Sequence, residues 1–153
     1  MIAGTLLVLA FGTFYVLKNG IYTSFSGGVQ RIEANQAQSI LEQKQPIILD
    51  ARTLEEFQTS HLEGAIYYTE DILEKLPKDQ PLLIYCTLGV RSNKAAKIAS
   101  NKGFKEVYDM KDGILGWANG SLPLMNQDGL STDTVHTYNK SVSSMLKKGT
   151  AVY

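Results

Sequence analysis

The chain has 153 residues, with 15 Lys+Arg against 15 Asp+Glu, 44% hydrophobic residues and a single cysteine. That length carries one ordinary domain with residues to spare, and the apolar content is too high for a disordered chain. Zero formal charge without a long basic run excludes a nucleic-acid protein held by phosphate neutralisation, the lone cysteine excludes a disulfide framework or a multi-thiolate metal site, and two distant histidines leave zinc without support.

Residues 1–17 carry no charged side chain, and the run TLLVLAFGTFYVL is strongly apolar. As a helix that stretch spans roughly 26 Å, at the short end for a hydrocarbon core of ~30 Å. Lys18 can snorkel to the interface, and Tyr15 and Tyr22 can occupy the headgroup belt. The pattern predicts an N-terminal apolar helix within residues 1–22 that anchors the chain in a lipid bilayer. A signal peptide is an alternative, since Ser24 and Ser26 form a small-x-small site, although no basic residue precedes the run. A core helix is a third reading. Lys18 and Arg31 favour a cytoplasmic domain by the positive-inside rule, with an exported domain as the alternative. Residues 23–28, with the run SFSGG, read as a linker.

Beyond the linker, short strands and helices alternate. Asn35 can cap a helix to about Gln43, with Ala37, Ile40 and Leu41 on one face. Ile47–Leu49 reads as a strand buried on both faces. Thr53-Leu-Glu-Glu56 is a capping box opening a short helix. Ala65–Tyr67 is a second strand, and Leu82–Tyr85, apolar throughout, is the strongest. A helix follows from about Ser92, with Ala95, Ala96, Ile98 and Ala99 inward and Gly103 as its stop. Val107 and Tyr108 form a strand, and Ile114, Leu115 and Trp117 a last short helix ended by Gly120. Residues 125–153 form a C-terminal extension. In it Val135, Tyr138, Val142, Met145 and Leu146 fall at helical spacing from about Asp133, with Gly149 as cap and His136 facing solvent. This amphipathic helix folds back on the domain, or contacts a partner. The alternation predicts an α/β fold with a mainly parallel sheet covered on both faces. Ligands then bind at the carboxyl ends of the strands.

Cys86 lies at that end of the strongest strand, in the segment Cys86-Thr87-Leu88-Gly89-Val90-Arg91-Ser92. In a strand-to-helix loop, successive N–H groups can curl around the sulfur. The helix N-terminus adds its positive dipole end, and Arg91 adds a full charge. All three favour thiolate over thiol. Gly89 leaves room for a tight turn. Leu88 and Val90 supply N–H groups without competing side-chain acceptors.

The blocks IILDARTLEEFQTSHLEGAIYY, LLIYCTLGVRSNKAAKIASNKGF and VYDMKDGILGW, in this order, resemble a single-domain rhodanese-like sulfurtransferase. The resemblance covers residues 29–124. It implies a three-layer fold with a parallel five-stranded sheet, and a mechanism in which Cys86 accepts a sulfane sulfur as a persulfide and passes it to a thiophilic acceptor. The loop N–H groups of Thr87, Leu88, Gly89, Val90 and Ser92 would cradle that persulfide, with Arg91 beside it. Asp50 matches the aspartate closing a strand in the family, followed by Arg52. Its expected part is to hold Arg91 or the loop, or else to cap the strand end. His61 matches the HxxGA segment and reads as structural, and Trp117 as packing. No metal or organic cofactor is expected. The partners implied are a sulfane-sulfur donor, thiosulfate or a persulfide, and a thiol or cyanide acceptor, because no second cysteine exists to resolve Cys86. Cysteine phosphatases and arsenate reductases place one residue more between Cys and Arg than the four here, so a single sulfur suits this loop better than a phosphate. The loop also lacks extra basic residues, which predicts weak binding of the thiosulfate dianion. The remaining alternative is a membrane-associated regulatory or binding module of the same fold without significant turnover.

Overall fold

The computed structural model describes residues 28–153, together with the backbone of two short strands, Phe14–Leu17 (β1) and Gly20–Thr23 (β2). These two pair antiparallel. The apolar helix expected over residues 1–17 lies mostly outside the described residues, as do Ser24 and Ser26. Its last four residues are extended instead of helical, as suits the aromatic and β-branched Phe14, Tyr15 and Val16. Among the described residues no helix is long and apolar enough to cross a membrane, so the expected bilayer anchor gains no support from them.

Five parallel strands form the central sheet: Val29–Ile32 (β3), Ile47–Asp50 (β4), Ile66–Tyr67 (β5), Leu82–Tyr85 (β6) and Val107–Met110 (β7). Their spatial order is β3-β7-β6-β4-β5. The parallel five-stranded expectation therefore holds. Helices Ala34–Lys44 (α1), Leu54–Thr59 (α2), Ile72–Lys75 (α3), Val90–Asn101 (α4) and Gly113–Asn119 (α5) make the connections and cover both faces. The capping box at Thr53 forms as read, with Thr53 Oγ1 accepting from the Glu56 N–H and the Glu56 carboxylate accepting from the Thr53 N–H. At α1 the box sits two residues earlier than the expected Asn35 cap, on Glu33 and Gln36.

The central strand β6 shows why the sheet has two cores. Successive side chains of a strand point to opposite faces. Leu83 and Tyr85 pack with Ala37 of α1 and Ile114 and Leu115 of α5. Leu82 and Ile84 pack with Leu73 of α3 and Ala95, Ala96 and Ala99 of α4. All four β6 residues are fully buried. Each such aliphatic side chain contributes about 1.5–3 kcal/mol. In register, Asp50, Tyr85, Met110 and Ile32 lie side by side at the carboxyl edge, so the residue after Tyr85 emerges at the middle of that edge.

The extension differs from the expected amphipathic helix. Strands Leu124–Met125 (β8) and Ser131–Thr132 (β9) pair antiparallel. Thr134–His136 (β10) pairs in parallel with Thr150–Val152 (β11), leaving only Lys140–Ser143 (α6) helical between them. The helix cannot start earlier because Tyr138 takes a left-handed conformation, φ 71°, and Asn139 caps α6 by accepting from the Val142 N–H at 2.9 Å. Val135 reaches the core from a strand, fully buried. His136 is on β10, half-buried, and its Nδ1 accepts from the Tyr138 N–H. Gly149 is no helix cap: a Cβ there would lie 2.3 Å from the Asp133 carbonyl oxygen.

Candidate active site

Cys86 is the first residue past β6, and α4 begins at Val90, so the loop between them is four residues long. Two close approaches hold this loop in shape. Gly89 has φ 75°, and a Cβ there would sit 2.2 Å from the Lys111 carbonyl oxygen. Gly113 has φ 58°, and its Cβ would sit 2.3 Å from the Cys86 carbonyl oxygen and 2.4 Å from that of Thr87. The Ile114 N–H donates to the Cys86 carbonyl at 2.8 Å, so α5 is docked directly on the loop. Gly113→Ala adds a backbone collision to the left-handed penalty, whereas Gly64 (φ 74°) has nothing within 4 Å of its would-be Cβ. We expect Gly64→Ala to cost roughly 1–2 kcal/mol and Gly113→Ala clearly more, with disturbed Cys86 reactivity. Thermal melting and alkylation rates of the two variants side by side check this.

Arg91 is bound differently from the expectation. Its Nη1 donates to Glu56 Oε2 at 2.6 Å and its Nη2 to Glu56 Oε1 at 2.8 Å, a bidentate pair. Nη2 also donates to Thr87 Oγ1 at 2.8 Å, and that hydroxyl donates to Glu56 Oε1 at 2.9 Å. The carboxylate is almost completely buried, while the Arg91 side chain is about one-third exposed at 34%. Burial opposes the charge on Glu56, but the hydrogen bonds from Arg91, the Thr53 N–H and Thr87 outweigh it, bringing the carboxyl from 4.5 down to about 2. Such a depressed group stabilises the fold above its unfolded value, and the contribution disappears as pH falls through the folded value. Glu56→Gln should therefore be less stable than wild type at neutral pH, with the difference shrinking between pH 4.5 and about 2. Denaturant melts across that range check it, and a constant difference would contradict it.

Asp50 does not reach for Arg91. It is fully buried and pairs with Arg52: Nε to Oδ1 at 2.9 Å and Nη2 to Oδ2 at 2.7 Å, with the Arg52 N–H also donating at 3.0 Å. Arg52 Nη2 further donates to the Ser60 carbonyl. This buried pair closes the end of β4 and fixes the entry to α2, which carries Glu56. Asp109 on β7, fully buried, does the same for α4, accepting from Ser92 Oγ at 2.6 Å, Asn93 Nδ2 at 3.0 Å and Arg31 Nε at 2.8 Å. Arg31 Nη2 also donates to the Gly89 carbonyl. The sequence alone does not point to Glu56, Asp109 or Arg31 as site residues, and it offers Arg31 only as a charge following the apolar run. Glu56 could be seen only as a capping-box residue. His61 is structural as expected: its Nδ1 meets the Phe57 carbonyl, its ring stacks on Phe57, and its backbone bridges to Met125. Trp117 packs in the core and donates to the Pro123 carbonyl.

Cys86 is only 1% exposed, yet it lines a pocket of about 310 Å³. The loop supplies Thr87 and Leu88 to its wall, α4 supplies Val90 and Arg91, and the extension supplies Tyr138 and Val142. None of the hydrogen bonds found among the described residues uses the N–H of Thr87, Leu88 or Gly89. The first N–H groups of α4 have no partner within a helix by construction. Among the described residues there is no cluster of His, Cys, Asp and Glu fit to hold a metal.

A parallel α/β domain that offers one cysteine in a glycine-pinned loop at the middle of its carboxyl edge is a recognisable class. The rhodanese-like domain family matches residues 33–120, more than half of the chain, and the protein belongs to it. The thiosulfate sulfurtransferase GlpE of Vibrio cholerae is 36% identical over 97 residues, covering 61% of this chain and 92% of the relative. That of Glaesserella parasuis is 29% identical, with coverage of 61% and 90%. The solution structure of the rhodanese-like domain of an Anabaena protein superposes with a TM-score of 0.57 at 22% identity, covering 63% of this chain and 78% of that one.

Proposed function

We propose that the protein is a rhodanese-type sulfurtransferase working through a persulfide on Cys86. The observation that carries this reading is the placement of Cys86: it lines the pocket, its carbonyl is clamped by the Ile114 N–H, and among the described residues the N–H groups of Thr87, Leu88 and Gly89 have no acceptor. Amides so placed, next to a helix N-terminus, favour an anionic sulfur. The Cys86 thiolate attacks the outer sulfur of a sulfane donor. A new S–S bond forms, and the donor's own S–S bond breaks with its electron pair leaving on the donor remnant, sulfite in the case of thiosulfate. The negative charge now sits on the outer persulfide sulfur, where the loop amides of Thr87 through Ser92 can receive it. A nucleophilic acceptor, cyanide or a thiol, then takes that sulfur and the electron pair returns to Cys86.

Arg91 in this scheme shapes the loop through Glu56 and Thr87 rather than serving as a free anion clamp. Asp50 and Arg52 hold the elements on which that trio stands. Cys86 is the single cysteine of the chain, so the sulfur must leave to an outside acceptor. The test is intact mass of the full chain after a sulfane donor and again after cyanide. Gain and then loss of one sulfur atom is expected, and no gain with thiosulfate or an organic persulfide refutes the reading.

A further inference from the structure

The pocket over Cys86 is not completed by the family domain alone. The family match ends at residue 120, but Tyr138 and Val142 form part of the wall. The extension is tied down for this purpose at both ends. Thr137, fully buried, donates its N–H to the Val152 carbonyl at 2.8 Å, and the Thr150 N–H donates to the Asp133 carbonyl. Tyr138 holds a left-handed backbone, which is costly for a bulky residue and tends to persist where it positions something. Its ring lies 5.5 Å from the Arg91 guanidinium carbon.

Two properties of the wall decide what fits. The first is charge: among the described residues Arg91 is the single cation lining the pocket, and its Nη1 and Nη2 are already given to the Glu56 carboxylate and Thr87. A dianion entering here meets a cation that is already neutralised, and loses hydration without full compensation. The second is apolarity: Leu88, Val90, Tyr138 and Val142 face the same space, whose 310 Å³ is near the lower limit for small-ligand pockets. We propose that Tyr138 and Val142 are specificity-determining residues that select a singly charged organic sulfane donor, one with an apolar group next to its sulfurs, over thiosulfate. This rests on the sulfur-transfer reading above and names its substrate class. With an arenethiosulfonate the step balances as before: the Cys86 thiolate bonds the terminal sulfur, and the sulfonyl–sulfur bond breaks with its electron pair leaving on the sulfinate.

The experiment measures single-turnover loading of Cys86 by mass, with benzenethiosulfonate, methanethiosulfonate and thiosulfate as donors. The first two carry equal charge and differ in the apolar arm. Tyr138→Asn removes the ring while suiting the left-handed backbone, and Val142→Ser probes the second wall residue. The expected result is faster loading of wild type by benzenethiosulfonate than by thiosulfate, a fall of roughly fivefold in the benzene-to-methane rate ratio for Tyr138→Asn, the size of one aromatic contact, and a smaller fall for Val142→Ser. Loading with an unchanged ratio in both variants, or wild type loaded faster by thiosulfate than by benzenethiosulfonate, overturns this inference alone. Loading of wild type by none of the three donors overturns the sulfur-transfer reading, and this one with it.

Discussion

Cys86→Ser is expected to abolish sulfur uptake entirely. The serine oxygen can occupy nearly the same position, so the loop, the Ile114 N–H bond to the residue 86 carbonyl and the Glu56–Arg91 pair all remain. What disappears is the chemistry. A hydroxyl is far less ionised than a thiol, and its oxygen forms no stable bond to a sulfane sulfur that could later be handed on. The serine hydroxyl sits where the thiol is only 1% exposed, so a stability loss of about 1–3 kcal/mol is the upper range if no loop amide bonds it, and less if one does. Its mass should stay constant with every donor. Sulfite release from thiosulfate should drop to the uncatalysed rate. Residual turnover by the serine variant would mean that another group carries the sulfur. No other thiol exists in the chain to do so.

The second large effect falls on stability. Asp50→Ala leaves the Arg52 guanidinium buried, with the Ser60 carbonyl as its remaining partner and Nη1 already without one. Breaking one side of a buried ion pair costs roughly 3–5 kcal/mol. For a chain of this size that lowers the melting temperature by on the order of 10 °C. The double variant Asp50→Leu/Arg52→Met removes both charges, and buried pairs replaced by apolar residues of similar volume often recover the loss. Recovery of most of the stability, against a severe single variant, would show that the penalty lies in the orphaned cation. A single variant melting within a degree or two of wild type would remove Asp50 from the support of the site.

What could be read from the chain, and what could not, follows the range of the interactions involved. β6, the Cys86 loop and α4 were legible because a continuous apolar run, a glycine and a row of alanines at helical spacing are local signals. β4 and α2 were legible for the same reason. The partner of Arg91 was not. Glu56 is 35 positions away, and its local role as a cap hid the fact that the same carboxylate turns under the loop. The sequence offers Asp50 as a holder of Arg91, but Arg52, two residues on and also buried, takes both its oxygens. The extension deceives a periodic reading because Val135, Val142 and Leu146 do meet the core as a helical stripe would, although they arrive there from a strand, a short helix and the turn beyond it. The parallel pairing of β10 with β11 is set by a return of the chain that no local period reports.

Every ladder in the central sheet joins parallel neighbours, so none of its pairings can form by a simple hairpin. Each requires a crossover through at least one helix, and chains dominated by distant pairings close slowly. The surroundings of Cys86 come from β6, α4, α5 and the residues after 124. The thiol is therefore enclosed late in renaturation, when these separate segments have met. During that interval it is an open nucleophile on an incompletely formed chain, and newly made protein should be far more vulnerable to alkylation or oxidation than the mature fold.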